Sequence, residues 1–327
     1  MHALGAAWLE STVTVPPRQP GNAPARSMRA HSYRRSCVAA AAEDRGGEQP
    51  ALISRSSRRQ ALLLGTCALC AQQLPARANE WSYSDVDAWS RVSATCGLGE
   101  RQSPVDLGTG SPAVGSSGIR LNYAGQWAAR VRDSGHGTMQ VDFGDDAPVL
   151  SVGKQTFRLA QFHFHSPSEH AIAGKRVAME AHLVHKEVST GALAVMATLL
   201  SERQNAAPNA ALAAALLNAP PAGSHEGEAQ AAASVVISGG VDASALLPRR
   251  DGGGIFTYSG SLTTPPCAEQ VTWYVNDAGL DVPPQQVLAF RKYVGRSAGN
   301  GGLGGFGTNA RPLQPPNGRD VDHVMAM

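Results

Sequence analysis

The chain has 327 residues, enough for two ordinary domains or one large all-β or mixed domain, and its apolar content is ordinary for a folded protein. Its formal charge of +2 conceals an asymmetry: residues 1–78 hold ten Lys+Arg against four Asp+Glu, whereas residues 79–327 hold eighteen against twenty-two. A mildly acidic body with no basic run lacks the electrostatic footprint of a nucleic-acid binder, and no nucleic-acid partner is expected.

Residues 1–42 carry five arginines, one acidic residue and many Ala, Ser and Pro, the composition of an organelle transit peptide. Ser57-Arg58-Arg59-Gln60, an apolar run to about Ala71 and then Ala76-Arg77-Ala78 follow the order of a twin-arginine export signal. Residues 1–78 therefore read as a cleaved presequence and 79–327 as the functional domain; the competing reading is a tail in which paired arginines occur by chance. The apolar run is far too short to span a bilayer, so no transmembrane segment is expected. Delivery across successive membranes points to the thylakoid lumen of a chloroplast, with a secreted or periplasmic location as the alternative. Cys37, Cys67 and Cys70 fall before Ala78. Cys96 and Cys267 remain, either as one disulfide in an oxidising compartment or as two buried thiols.

From Asn79 onward no linker or repeat divides the chain. Alternating runs at Ile119–Tyr123, Gln140–Phe143, Pro148–Val152, Thr156–His165 and Ala178–His185, with apolar runs at Leu193–Leu200 and Val271–Val275, predict strands separated by Gly, Pro, Asp and Ser turns. Helices are predicted only at Asn209–Asn218, which ends before Pro220-Pro221, and at Pro283–Tyr293, with Val287, Leu288 and Phe290 on one stripe. The fold class is thus mostly β (α+β), a single domain on a large, predominantly antiparallel sheet with a few short surface helices. Gly295–Gly307 reads as a loop, and the Ala-rich stretch Arg203–Gln230 has no assigned role.

The chemistry concentrates in Gln161-Phe162-His163-Phe164-His165. On a strand, side chains alternate faces, so His163 and His165 project together and the two phenylalanines project opposite. In Glu180-Ala181-His182-Leu183-Val184-His185, Glu180 and His182 share a face and His185 takes the other. Pairing these strands brings three neutral imidazoles together, which is the ligand set of a catalytic zinc site with one open position. Gln161 and Glu180, each two residues before a histidine, are placed to orient the rings. His170 and His185 are out of phase with the cluster and read as structural.

QFHFHSPSEH (161–170), EAHLVH (180–185), YSGSLTTPPC (258–267) and VTWYV (271–275) resemble the α-carbonic anhydrase family in order and spacing. Trp81-Ser82-Tyr83, Trp89, Cys96, Arg101–Asp106, Phe290-Arg291-Lys292 and Asn309–Gln314 match as well, so the resemblance spans essentially 79–319. It implies a carbonate dehydratase that interconverts CO2 and bicarbonate by attack of zinc-bound hydroxide, with Zn2+ on His163, His165 and His182 at the floor of a conical cleft. It further implies that Thr263 accepts the hydroxide's hydrogen bond and gives its own proton to Glu169. Val184, Val195, Leu262 and Trp273 correspond to the apolar CO2 pocket, Thr264 to a position lining the substrate cleft, Tyr83 to a residue of the cleft, and His136 to the proton shuttle. The stretch from His136 to the following strand is one residue longer than the family pattern. Cys96 and Cys267 match a disulfide of exported members. Acatalytic relatives are expected to lack at least one zinc-ligand histidine, and this sequence keeps all three. The expected address also raises association with photosynthetic complexes.

Overall fold

The computed structural model describes residues 81–108, 115, 118–222, 234–248, 253–296 and 307–325. The expected presequence 1–78, residues 223–230 of the Ala-rich stretch and residues 297–306 of the Gly-rich loop lie outside the described residues.

The strands are β1 (Ile119–Asn122), β2 (Ala129–Asp133), β3 (Met139–Phe143), β4 (Val149–Val152), β5 (Gln155–His165), β6 (Met179–Glu187), β7 (Leu193–Glu202), β8 (Val235–Val236), β9 (Gly254–Gly260), β10 (Val271–Asn276), β11 (Leu280–Val282) and β12 (Asp322–Met325). They form one sheet in the order β12-β9-β10-β7-β6-β5-β3-β2-β8, with β4 joining β5 to β1 and β11 beside β7. β10 and β11 run parallel to β7; the other ladders are antiparallel. All seven runs taken as strands from the sequence are strands here. β2, β8, β9, β11 and β12 are additional: they are short, charged or Gly-bounded, so their pattern alone is weak.

Cross-strand rows explain how the two faces differ. Val131, Val141, Phe162, Leu183 and Met196 lie opposite one another across β2, β3, β5, β6 and β7, all fully buried. One residue along, Arg132, Gln140, His163, His182 and Ala197 form the matching row on the other face. The β5–β6 register shifts between Leu159 and Gln161. This bulge changes the phase of β5, so that Phe157 and Leu159 before it and Phe162 and Phe164 after it all enter the same core.

Four helices are short: α1 (Trp89–Val92), α2 (Thr95–Leu98), α3 (Ala210–Asn218) and α4 (Pro284–Arg296). Asn209 caps α3 by accepting from the Leu212 N–H at 3.1 Å, and Ala211, Leu212 and Ala215 enter the core. Part of the Ala-rich stretch is thus core-forming. In α4, Val287, Phe290 and Val294 are buried at helical spacing, and Phe290 meets Phe164 edge-on at 5.9 Å. Leu288, assigned to this stripe from the sequence, is 44 % exposed, because it follows Val287 by about 100° around the helix. A second apolar cluster, including Val195, Phe256, Tyr258 and Trp273, occupies the other face of the sheet. Cys96 and Cys267 are disulfide-bonded and pack with Trp89.

His185 confirms its expected phase on the core face. Its Nδ1 donates to the Ala194 carbonyl at 3.2 Å, and Nε2 is hydrogen-bonded to the Tyr123 hydroxyl. Burial outweighs the backbone hydrogen bonds and brings its pKa down to about 4. The unfolded chain therefore binds a proton near pH 6.5 that the native state refuses. The native contribution is complete above about pH 6.5 and is lost as pH falls toward 4, amounting to about 3 kcal/mol. Urea midpoints measured across this window are expected to decline less steeply in His185→Gln than in the parent; parallel declines would show that His185 does not drive the loss.

Candidate active site

Each of the three predicted histidines has one ring nitrogen tied down and the other free to converge. His163 Nδ1 donates to Gln161 Oε1 at 2.8 Å, and His182 Nε2 donates to Glu180 Oε1 at 2.8 Å. His165 Nδ1 donates to the Asn309 backbone carbonyl at 2.7 Å. Period-two alternation placed the first two partners in the sequence. The third comes from 144 residues away, and no local signal announces it. One ring nitrogen from each of His163, His165 and His182 lies within 4.8 Å of the others. Burial, followed by the neighbouring imidazoles, lowers the pKa of His163 well below its ordinary value. Burial likewise lowers that of His165, against the pull of Glu169.

Glu180 anchors more than one ring. It is fully buried and accepts from the Glu169 and His170 N–H groups, both at 2.8 Å, from His170 Nδ1 at 2.7 Å and from His182 at 2.8 Å. Burial alone would raise its pKa, but the His170 and His182 charges and hydrogen bonds outweigh this and hold the carboxyl well below the ordinary range. His170, read as structural, thus backs the ligand row through Glu180. Its Nε2 is hydrogen-bonded to the Tyr258 hydroxyl at 2.7 Å, which meets Ser103 Oγ at 3.0 Å. His170, Glu180 and His182 also form a geometric cluster of possible metal donors, but hydrogen bonds already engage His170 and Glu180.

Glu169 is fully buried beneath the cluster. Its Oε1 accepts from the Arg311 N–H at 2.8 Å. Its Oε2 has no hydrogen-bond partner and lies 3.5 Å from His165 Nε2 and 3.9 Å from His182 Nδ1. The Thr263–Glu169 hydrogen bond implied by the family resemblance is therefore not formed here. Arg311 is buried, donates to Gln102 Oε1, the Ser103 carbonyl and the Cys96 carbonyl, and stacks over Trp89.

A cavity of about 200 Å³ opens on the three histidines. The positions expected to bind substrate, Val184, Val195, Leu262, Trp273 and Thr264, all line it, as do Thr263, Tyr83, Gln161 and His136. Val184, Val195 and Trp273 are successive members of one cross-strand row, which makes that wall apolar. Burial and the Glu169 charge raise the Tyr83 pKa well above that of a free phenol, with Arg311 opposing. His136 sits between Gly135 and Gly137, whose φ values of 82° and 81° are left-handed, and its ring stacks on Trp81 at 3.9 Å. The glycine-flanked turn leaves the His136 ring on the cavity. Arg132, Ser134, Thr138 and Gln140 also line it and were not picked out from the sequence.

The donor set suits a zinc ion. His163 and His165 are predisposed to the neutral state, one ring nitrogen of each of the three histidines is anchored, and His165 Nε2 is buried without a hydrogen-bond partner. The Ser261–Thr264 turn beside them is pinned by reciprocal Ser103–Ser261 hydrogen bonds at 2.9 and 3.0 Å and by Cys267 N–H to the Thr264 carbonyl at 2.8 Å.

The eukaryotic-type carbonic anhydrase family profile matches residues 84–325. The carbonic anhydrase of Nostoc sp. (strain PCC 7120) is 36% identical over 271 residues, covering 79% of this chain and 92% of its own. Among solved structures, carbonic anhydrase Cah3 from Chlamydomonas reinhardtii in complex with acetazolamide has a TM-score of 0.62 at 36% identity, over 75% of this chain and 99% of that one. Dioscorin dioA3 of Dioscorea japonica is 32% identical over 269 residues, covering 79% of this chain and 90% of its own.

The Cys96–Cys267 bridge joins α2 to the turn that carries Thr263 and closes a span of 171 residues. Replacing both cysteines by serine is expected to lower unfolding free energy by up to about 5 kcal/mol, read from guanidinium midpoints. An unchanged midpoint would mean that the bridge does not constrain the unfolded chain.

Proposed function

We infer, because this chain belongs to the eukaryotic-type carbonic anhydrase family, that it interconverts CO2 and bicarbonate at one zinc ion held by His163, His165 and His182. The observation that carries this reading is the convergence of three anchored imidazoles beside an apolar wall in one cavity. Zinc, when bound, supplies the Lewis acidity that lowers the pKa of a water to about 7, as carbonic anhydrases are known to do.

The chain's own residues supply position and proton traffic. Val184, Val195, Leu262 and Trp273 hold CO2 against a surface that offers it no competing polar partner. With zinc bound, Thr263 would accept the hydrogen bond of the hydroxide, and its hydroxyl, which makes no hydrogen bond to Glu169 in this structure, would turn to donate to the unpartnered, buried Glu169 Oε2. Together they aim a lone pair at CO2. Thr264 borders the leaving bicarbonate. Gln161 and Glu180 fix the rings of His163 and His182, and Tyr83 completes the polar side. His136, at the Trp81 stack, would take up the proton released on hydration and pass it to solvent, the role an imidazole suits near neutrality.

The composition of residues 1–78 and the order of charged, apolar and Ala-Arg-Ala segments support a two-step presequence and delivery to the thylakoid lumen. A secreted or periplasmic location is the alternative. Association with photosynthetic complexes follows from that address. N-terminal sequencing of protein from its source, expected to begin at Asn79, tests the cleavage.

Stopped-flow CO2 hydration with zinc analysis of purified parent and His182→Ala tests the central reading. About one zinc per chain and loss of hydration in the variant are expected. Full zinc without hydration would favour a binding role, and absence of zinc would overturn the three-histidine site. Gln161→Leu is expected to weaken zinc affinity by about 10–100-fold while preserving the fold, read by chelator competition. An unchanged affinity would remove Gln161 from the ring-orienting role.

A further inference from the structure

We propose that Arg132 is an anion-binding station in the cavity wall, taking a small planar oxyanion of the bicarbonate class on its two terminal guanidinium nitrogens. The identity of the physiological anion rests on the reading above; the site itself rests on the geometry of β2 and β3.

The sheet register sets the position. Arg132 lies opposite Gln140, Gln140 opposite His163, and His163 opposite His182. Its neighbours Val131 and Asp133 are buried on the other face of β2, so Arg132 shares a face with the histidines. Two strand spacings put its backbone roughly 10 Å from that of His163, within reach of an extended arginine side chain and a small anion between them. Arg132 and the three histidines line the same cavity.

The orientation of the guanidinium is equally defined. Nε donates to Asp142 Oδ2 at 2.8 Å, while the other oxygen of Asp142 accepts from Gln140 Nε2 at 2.5 Å. No hydrogen bond to either terminal nitrogen of Arg132 is made among the described residues. The side chain is 27 % exposed, so its charge is only partly screened by solvent. Asp142 therefore acts as a clamp on one edge and leaves the forked edge available, the geometry that engages a planar oxyanion with two parallel hydrogen bonds.

The consequence lies in anion traffic. Bicarbonate formed at the histidines has a cationic partner one step along the wall before it meets solvent. In the reverse direction the same fork collects it from solution. Lysine would offer a point charge without the planar fork, and an apolar residue would offer neither.

The test uses the full protein stripped of metal by chelation, so that an anion has no metal to bind, and titrates it with nitrate and with 13C-labelled bicarbonate followed by NMR. Saturable binding by the parent is expected, weakened about tenfold or more in Arg132→Gln and less in Arg132→Lys. Thermal midpoints of the variants establish that they are folded. In the metal-loaded protein, inhibition of hydration by nitrate is expected to weaken in the same order. Equal nitrate affinity in parent and Arg132→Gln, or no saturable binding by the parent, would overturn the proposal. A parent that hydrates CO2 but shows no Arg132-dependent binding defeats this inference alone. A parent that takes no zinc defeats the preceding reading, while the nitrate titration still reports on Arg132.

Discussion

The pairing of His163 with His182 across the β5–β6 ladder is the constraint on which the site depends. Side chains alternate along each strand, so a slip of one residue would turn His182 into the core and put Leu183 on the cavity. What holds the register lies on the opposite face. Phe162 and Phe164 are fully buried on the core face, Phe164 against Phe290 of α4, and each contributes about 1.5–3 kcal/mol by leaving water. The bulge between Leu159 and Gln161 is part of the same device. It lets the first half of β5 and its second half both present apolar residues to one core, while Gln161, His163 and His165 emerge together on the other side.

The converging imidazoles are then fixed by buried polar groups from distant parts of the chain. Glu180 and Arg311 would each be costly to desolvate alone. Glu180 is satisfied by two backbone N–H groups and two imidazoles, and Arg311 by acceptors from Gln102, Ser103 and Cys96. Removing one partner from such a network leaves a buried charge exposed to low dielectric, so its members act as a unit. Arg311 also offers its backbone N–H to Glu169, and Asn309 offers its carbonyl to His165. The segment 309–311 thus braces His165 and Glu169 from the far end of the chain.

What the sequence discloses follows from how local each interaction is. His163, His165 and His182, with Gln161 and Glu180, can be read from strand alternation, because the histidines share a face and the ring partners of His163 and His182 sit two residues away on it. The apolar core face of β5, β6 and β7 is legible for the same reason. Asn309, Arg311 and the service of His170 to Glu180 are not, since they join segments that no period connects. Arg132 escaped notice because β2, Ala-Arg-Val-Arg-Asp, looks too charged for a strand until its partner β3 is known. His136 shows the converse case. Its stretch is longer than the family pattern in sequence, yet with left-handed glycines on both sides the ring lies on the cavity. The Thr263–Glu169 hydrogen bond, implied by resemblance alone, is absent, and Glu169 Oε2 remains a buried acceptor.

The proposed site holds one zinc ion on three imidazoles with no fourth protein ligand, and X-ray absorption at the zinc edge of the metal-loaded protein reads that ligand set. Three nitrogen neighbours with imidazole scattering at about 2.0–2.1 Å and one oxygen neighbour from solvent are expected. A sulfur neighbour, a fourth imidazole, or a signal without imidazole scattering would contradict this ligand set.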